Sequence, residues 1–196
     1  MKQVKADRRA RKTRKLYEDA LISMLKTRDI NKITVTDISE MVDMNRSTFY
    51  IHYDDIYDLL ESIENNLINE LENLTEISSI KDKSLMFEMS FSRVLKAIEF
   101  AGENREIFKV LLNEQGSLLF LARVKKIFSQ KLLANFLDIY SDVDKKYSGV
   151  FTSFFISGFI GIIQEWLKND SGMSAYELAA IIQTMLKSNI ENMLEN

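Results

Sequence analysis

Apolar residues return three and four positions apart along most of this chain, the period of a helix with one buried face. Leu16, Ala20, Leu21, Met24 and Leu25 predict a first helix over about 8–25. Ile38, Met41 and Val42 predict a short second one after a connector, Thr27 to Lys32, from which Ile30 and Ile33 can pack beneath. Leu59, Leu60, Ile63, Leu67, Ile68, Leu71 and Leu74 keep the same spacing over 55–74. Further helices are predicted over 85–100, 105–112, 117–139 and 145–168. A last helix starts at Ser174 and Glu177, which have the spacing of a capping box, and continues through Leu178, Ile181, Ile182, Met185, Leu186 and Ile190.

Polar clusters punctuate these runs: 75–84, Ala101 to Asn104, Asn113 to Gly116, Ser141 to Asp144 and Asn169 to Gly172. Strand-like alternation is not sustained anywhere. The chain has no proline and only six glycines, so little in it would break a helix. The fold class expected is all-α.

The stretch from Thr34 to Tyr53 reads as two short helices joined by a tight turn. Thr36 is placed to cap the first, with Asp37 in its first turn, where the helix dipole favours a carboxylate. Asp43-Met44-Asn45 interrupts the apolar spacing: two turn-prone residues flank an apolar one that can tuck under. Asn45 is placed to cap the second helix, which would bury Phe49 and leave Arg46, Ser47, Thr48, Tyr50 and His52 outside. That pattern matches a helix-turn-helix, whose second helix enters the major groove. An ordinary helical hairpin carries the same caps and stripes.

Charge sharpens the choice. The first 15 residues hold eight basic side chains, Arg11 and Arg14 among them, against Asp7, a local charge of +7. The chain as a whole is −3, so the remaining residues carry −10. A basic arm leading into such a motif is the footprint of phosphate contact, whereas an acidic body limits indiscriminate adhesion to DNA. Zero cysteines exclude disulfides and thiol nucleophiles, and one histidine excludes a multi-histidine metal site within a chain. No metal and no cofactor are expected, and no glycine-rich phosphate loop is present. His52 has no nucleophile pattern beside it, so no catalytic residue is assigned and an enzyme is not expected. The N-terminus lacks a secretory signal, and the longest apolar run, Val150 to Ile163, falls short of the roughly 20 residues of a spanning helix. A cytoplasmic protein with no membrane partner is expected, associated with the nucleoid when bound to DNA.

The wording of Ile38-Ser-Glu-Met-Val-Asp-Met-Asn-Arg-Ser-Thr-Phe-Tyr-Ile-His-Tyr53, followed by an acidic pair and Leu59-Leu60, closely resembles the Tet repressor family of bacterial transcription regulators. The resemblance runs from about Thr13 to Leu67. A looser likeness, Phe154 to Gly161, Trp166-Leu167 and Ser174 to Leu178, is to the C-terminal region of a Gram-positive subgroup. The chain is identified as a member. The resemblance implies a three-helix DNA-binding domain at 1–54 and a helical effector-binding and dimerisation domain at 55–196.

It also implies roles. Arg46 and Ser47 begin the recognition helix, where an arginine can contact guanine bidentately. Thr48 would reach a base edge or a phosphate, and Ile51 would meet a thymine methyl or simply pack. Thr36, Tyr50 and His52 resemble positions that hold the DNA backbone. The family often has a lysine near the start of the next helix, where this chain has Ile56 behind Asp54 and Asp55. That departure motivates an alternative, a protein-binding coregulator with the same fold and little direct DNA binding.

The last two helices resemble the family's dimerisation unit, with Phe155, Gly158, Phe159, Ile162, Ile182 and Met185 as candidate interface residues. Gly158 and Gly161 would admit a close partner helix or close packing within one subunit. Phe87, Phe91, Phe108, Phe120 and Phe128 are candidates for an effector pocket, or plain core, and an apolar or aromatic effector is preferred to an ionic one. The function implied is a homodimeric repressor on palindromic double-stranded operator DNA, released by an unidentified small molecule.

Overall fold

The structure is a computed structural model that describes the backbone of residues 2–76, 83–113, 117–139, 145–169 and 172–194. Side chains are described for 8–76, 90–113, 117–131, 149–169 and 172–188. Every regular element among the described residues is helical: α1 (Lys2–Leu25), a 3-10 turn (Ile30–Lys32), α2 (Val35–Met41), α3 (Arg46–Phe49), α4 (Ile56–Leu74), α5 (Lys83–Glu103), α6 (Arg105–Leu111), α7 (Leu118–Ile139), α8 (Lys145–Lys168) and α9 (Ala175–Leu194). The all-α reading holds. The chain divides into two compact units, Met1–Leu67 and Ile68–Asn196, so the division falls inside α4 rather than ahead of it at 54/55.

In the first unit the α1 stripe is Tyr17, Ala20 and Leu21, all buried, while Leu16 is 45% exposed. The sequence reading placed Leu16 inside. Spacings of three and four from Ala20 accept either residue, and the aromatic Tyr17 takes the inner position, its ring meeting Phe49 edge-on at 5.2 Å. Ile33, Ile38, Phe49, Tyr53, Ile56, Leu59 and Ile63 complete this core. Met41, expected within the α2 stripe, is 52% exposed at the end of α2, where Ile38 and Ser39 take the inner face.

The cap of α2 also differs from expectation. Thr34, not Thr36, is the N-cap: its hydroxyl accepts from the Asp37 N–H at 3.1 Å, and Asp37 accepts from the Thr34 N–H at 2.8 Å. Both threonines are cap-competent, but only Thr34 lies three residues ahead of a carboxylate that reaches back. Hydrogen bonds from Thr34 hold the Asp37 carboxyl below the usual carboxylate range. Thr36 is inside the helix.

In the second unit α7 packs on α8, α5 on α9, and α6 on α8 and α5. The expected box at the start of α9 forms: Ser174 Oγ accepts from the Glu177 N–H at 3.2 Å, and Glu177 accepts from the Ser174 N–H at 2.8 Å. At the other end of the preceding connection, Arg105 donates to the carbonyls of Trp166 and Asn169, satisfying acceptors that α8 leaves open at its C-terminus. The Trp166 ring passes so close to Gly102 that an added Cβ would lie 2.9 Å from it. Gly102 is thus a packing requirement, not only a helix stop.

The helix Gly149–Lys168 is long and apolar enough to cross a membrane by length and composition, which the sequence reading had denied. One side of it, Ile156, Ile160, Ile163 and Leu167, is buried in its own unit. The two threonines give a clean test of the α2 cap. Thr34→Ala should lower stability by about 1 kcal/mol in urea unfolding followed by helical circular dichroism, and Thr36→Ala by less than about 0.5 kcal/mol.

Candidate nucleic-acid interface

The turn between α2 and α3 is built by three short-range interactions. Asp43 adopts a φ of +52°, in the left-handed region that aspartate tolerates better than most residues. The Met44 N–H then donates to the Ser39 carbonyl at 2.9 Å, turning the chain back on α2. Asn45 caps α3 as expected, its Oδ1 accepting from both the N–H and the hydroxyl of Ser47 at 2.9 Å. The regular part of α3 is a single turn, extended by His52 and Tyr53 N–H groups that both donate to the Phe49 carbonyl.

Phe49 fixes which way this turn faces. It is fully buried, and its ring is met by Tyr17, Tyr50 and Tyr53 at 5.2, 5.7 and 5.7 Å. With Phe49 inward, the helical period sends Arg46, Ser47 and Tyr50 outward. Arg46 and Ser47 are exposed, Thr48 half-buried, Tyr50 51% exposed and Ile51 76% exposed. Ile51 has little packing to justify an isoleucine in water. Thr36 is half-buried, one turn from the α2 N-terminus. Arg11 and Arg14 are exposed on α1.

Arg14 also acts on His52. Burial, and then the nearby Arg14 guanidinium, hold the His52 imidazole below its ordinary value. Ile56 is buried in the core of this unit, so its side chain offers nothing to a phosphate. Asp55 instead caps α4, accepting from the N–H groups of Tyr57 and Asp58 at 2.8 and 2.9 Å.

The second unit holds a cavity of about 100 Å³ between α5, α7, α8 and α9. Of the five phenylalanines expected to line a pocket, Phe128 lines this one and Phe108 lines a separate groove with Lys109, Leu112 and Gln164. Phe108 and Phe120 are buried against each other at 5.9 Å as core, Phe91 packs on Tyr176, and Phe87 lies outside the described side chains. Phe155, Phe159 and Ile182, expected at a subunit seam, face this cavity instead. The sequence reading missed Arg93 and Lys131, which also line it; Lys131 is a cation continuing the apolar stripe of Val124, Ile127 and Phe128, whereas Arg93, with Ser90 and Lys96 three residues to either side, carried no such signal.

The remaining seam candidates separate from these. Gly158 is exposed, Ile162 half-buried and Met185 48% exposed. Gly149, Val150, Ser153, Phe154, Ser157 and Gly158 form one open face of α8, with Val150 and Phe154 71% and 68% exposed. Nothing lies within 4 Å of a Cβ built on Gly158 or Gly161, so close packing within the chain does not account for either. Among the described residues no group of three histidines or carboxylates could hold a metal.

Comparison with known proteins places these features in context. Residues 88–188 match a family model described as a transcriptional regulator C-terminal region. An uncharacterized HTH-type transcriptional regulator of Bacillus subtilis (strain 168), YxbF, is 27% identical over 163 residues, 80% of this chain. The chain spans only 40% of that relative's length. A solved TetR transcriptional regulator from Streptococcus agalactiae 2603V superposes with a TM-score of 0.63 at 24% identity, covering 94% of this chain and 98% of that one. The dihydroxyacetone kinase operon activator DhaS superposes with a TM-score of 0.60 at 17% identity, covering 91% and 96%. At these identities the two structures share the fold.

The single histidine makes the electrostatics of the turn directly measurable. In a proton NMR titration, His52 should titrate below the ordinary value near 6.5, and Arg14→Ala should raise it without restoring it fully, since burial remains. Because the folded value is depressed, the stability linked to His52 is complete above about pH 6.5 and is lost as pH falls through the folded value.

Proposed function

The chain belongs to the TetR family of transcriptional regulators, and from that premise we propose that it is a sequence-specific DNA-binding regulator acting as a homodimer on a palindromic operator. The observation that carries this reading is the outward face of the α2–α3 turn. Burial of Phe49 leaves Arg46, Ser47, Tyr50 and Ile51 together in solvent, next to a strongly basic α1. An exposed arginine at the start of a recognition helix suits bidentate contact with guanine, and Ile51 suits a thymine methyl. Thr36, Asn45, Thr48, Tyr50 and His52, with Arg11 and Arg14, supply phosphate and positioning contacts in the same reading.

Two half-sites need two copies, related by a two-fold axis. The open α8 face with its glycines and exposed Val150 and Phe154, together with Ile181 and Met185 of α9, supports self-association there. Of the seam residues read from the sequence, Gly158, Ile162 and Met185 fit this face, and Phe155, Phe159 and Ile182 fit a ligand cavity better. An effector in that cavity would shift the population towards a spacing of the two reading heads that no longer matches the operator. Repression is the expected sign, although a solved activator shares the fold. Such a protein works in the cytoplasm, on the nucleoid, without catalysis.

One observation favours the coregulator alternative. Ile56 is inside the core and Asp54 and Asp55 stand at the start of α4, where a phosphate would meet carboxylates. The experiment that separates the two is selection of bound sequences from random duplex DNA. The wild type should recover a palindromic site, with affinity falling steeply as salt rises. Arg46→Ala should lose about 1–3 kcal/mol and relax preference at one position of each half-site. Tyr50→Ala should weaken all sequences alike. If no site is enriched at low salt, the protein does not read DNA itself, and a protein partner becomes the target of search.

A further inference from the structure

The cavity of the second unit is apolar over most of its wall, through Phe128, Phe155, Ile156, Phe159, Ile182 and Leu186. Its polar lining is formed by Arg93 of α5 and Lys131 of α7, with Ser90 and Thr75 beside them. Nη1 of Arg93 is sealed from solvent and, among the described residues, has no hydrogen-bond partner. A buried guanidinium N–H without an acceptor is costly, and arginine is almost never sealed in this way unless paired. Lys131 donates to the Glu72 carbonyl at 2.9 Å and to the Thr75 hydroxyl, which leaves one of its three protons. Two cations therefore line one apolar cavity, near enough for the charge of one to act on the other, and among the described residues each has donor capacity left over.

The charges around them do not remove this imbalance. Glu72 and Glu76 act on Lys131 from the α4 side, and both are exposed. Glu72 meets the lysine through its main-chain carbonyl. Burial pushes the Lys131 amine down from its ordinary value; Glu72 pulls it back up in part, and the smaller effect of the Arg93 charge adds to the lowering.

Resting on the effector reading given above, we propose that this cavity binds a small organic carboxylate with an aromatic or branched apolar body, the carboxylate held by Arg93 and Lys131. A carboxylate can accept from the guanidinium fork bidentately and offsets one of the two charges, whereas an amine is repelled and a neutral carbonyl accepts only an uncharged hydrogen bond. A cavity of about 100 Å³ suits a single ring or short branched chain and not a nucleotide. The preference for a non-ionic effector drawn from the sequence is thereby revised: the apolar stripes supply the body of the site, and two cations supply its specificity.

The test uses the full chain and three probes of one shape: benzoate, benzamide and benzylammonium, titrated by ligand-observed NMR. Benzoate should bind saturably, benzamide about 10- to 100-fold more weakly, and benzylammonium not at all. Arg93→Gln should lower benzoate affinity to that of benzamide, removing the preference, with helical content unchanged. Equal affinity of the wild type for benzoate and benzamide would overturn the proposal, as would a preference that survives Arg93→Gln. If no probe binds while the protein still selects its operator, the ligand class is wrong and the DNA reading stands. If benzoate binds as expected but operator affinity does not change, the ligand class stands and release by effector is wrong.

Discussion

Everything exposed on the α2–α3 turn depends on the burial of one ring. Phe49 is inaccessible to solvent and held edge-on by Tyr17 of α1, with Tyr50 and Tyr53 flanking it along the chain. A helix of one turn has no stability of its own, since nucleation consumes more conformational entropy than a few hydrogen bonds return. Its position is therefore set from outside: by the Phe49 ring beneath, the Asn45 cap before and the bonds to the Phe49 carbonyl after. That is how a segment too short to persist alone presents Arg46, Ser47, Tyr50 and Ile51 in one direction.

The second unit solves a different problem. α8 is apolar on more than one side, and the structure divides those sides between two tasks. One faces the interior and the cavity through Phe155, Ile156 and Phe159. The other carries glycine and serine with exposed Val150 and Phe154, a surface on which a second helix backbone can come close. A helix apolar all round is expected where it meets its own body on one side and a partner on the other. Composition gives that conclusion, but only packing says which residue belongs to which side.

Arg93 shows the cost of a buried polar group most plainly. Its Nη1 is sealed from solvent and has no hydrogen-bond partner among the described residues. Native chains keep few such groups, and those they keep tend to have work to do. Ser39 and Thr152 are also buried without a partner, but a lone hydroxyl among helices loses far less than a guanidinium does.

The element order was legible in the sequence because helix-forming stripes are a one-dimensional property: spacings of three and four, absent proline, and cap residues at the ends. The turn motif was legible for the same reason, with Asn45 capping, Phe49 inward and Arg46 outward. So was the Ser174–Glu177 box, since its two members make each other's case. What misled was degeneracy. Thr34 and Thr36 are equally good caps until the reach of Asp37 is known, and Leu16 and Tyr17 fit one stripe equally until Phe49 is seen to need an aromatic neighbour. Phenylalanines look alike in a sequence, so Phe108 and Phe120 in the core could not be told from Phe128 at the cavity. The sequence by itself determined the helices, the basic arm and the two-helix turn motif, because local spacing and charge suffice for those. Which faces close on each other, and which leave two cations lining an apolar chamber, only the tertiary structure decided, because those are contacts between residues dozens of positions apart.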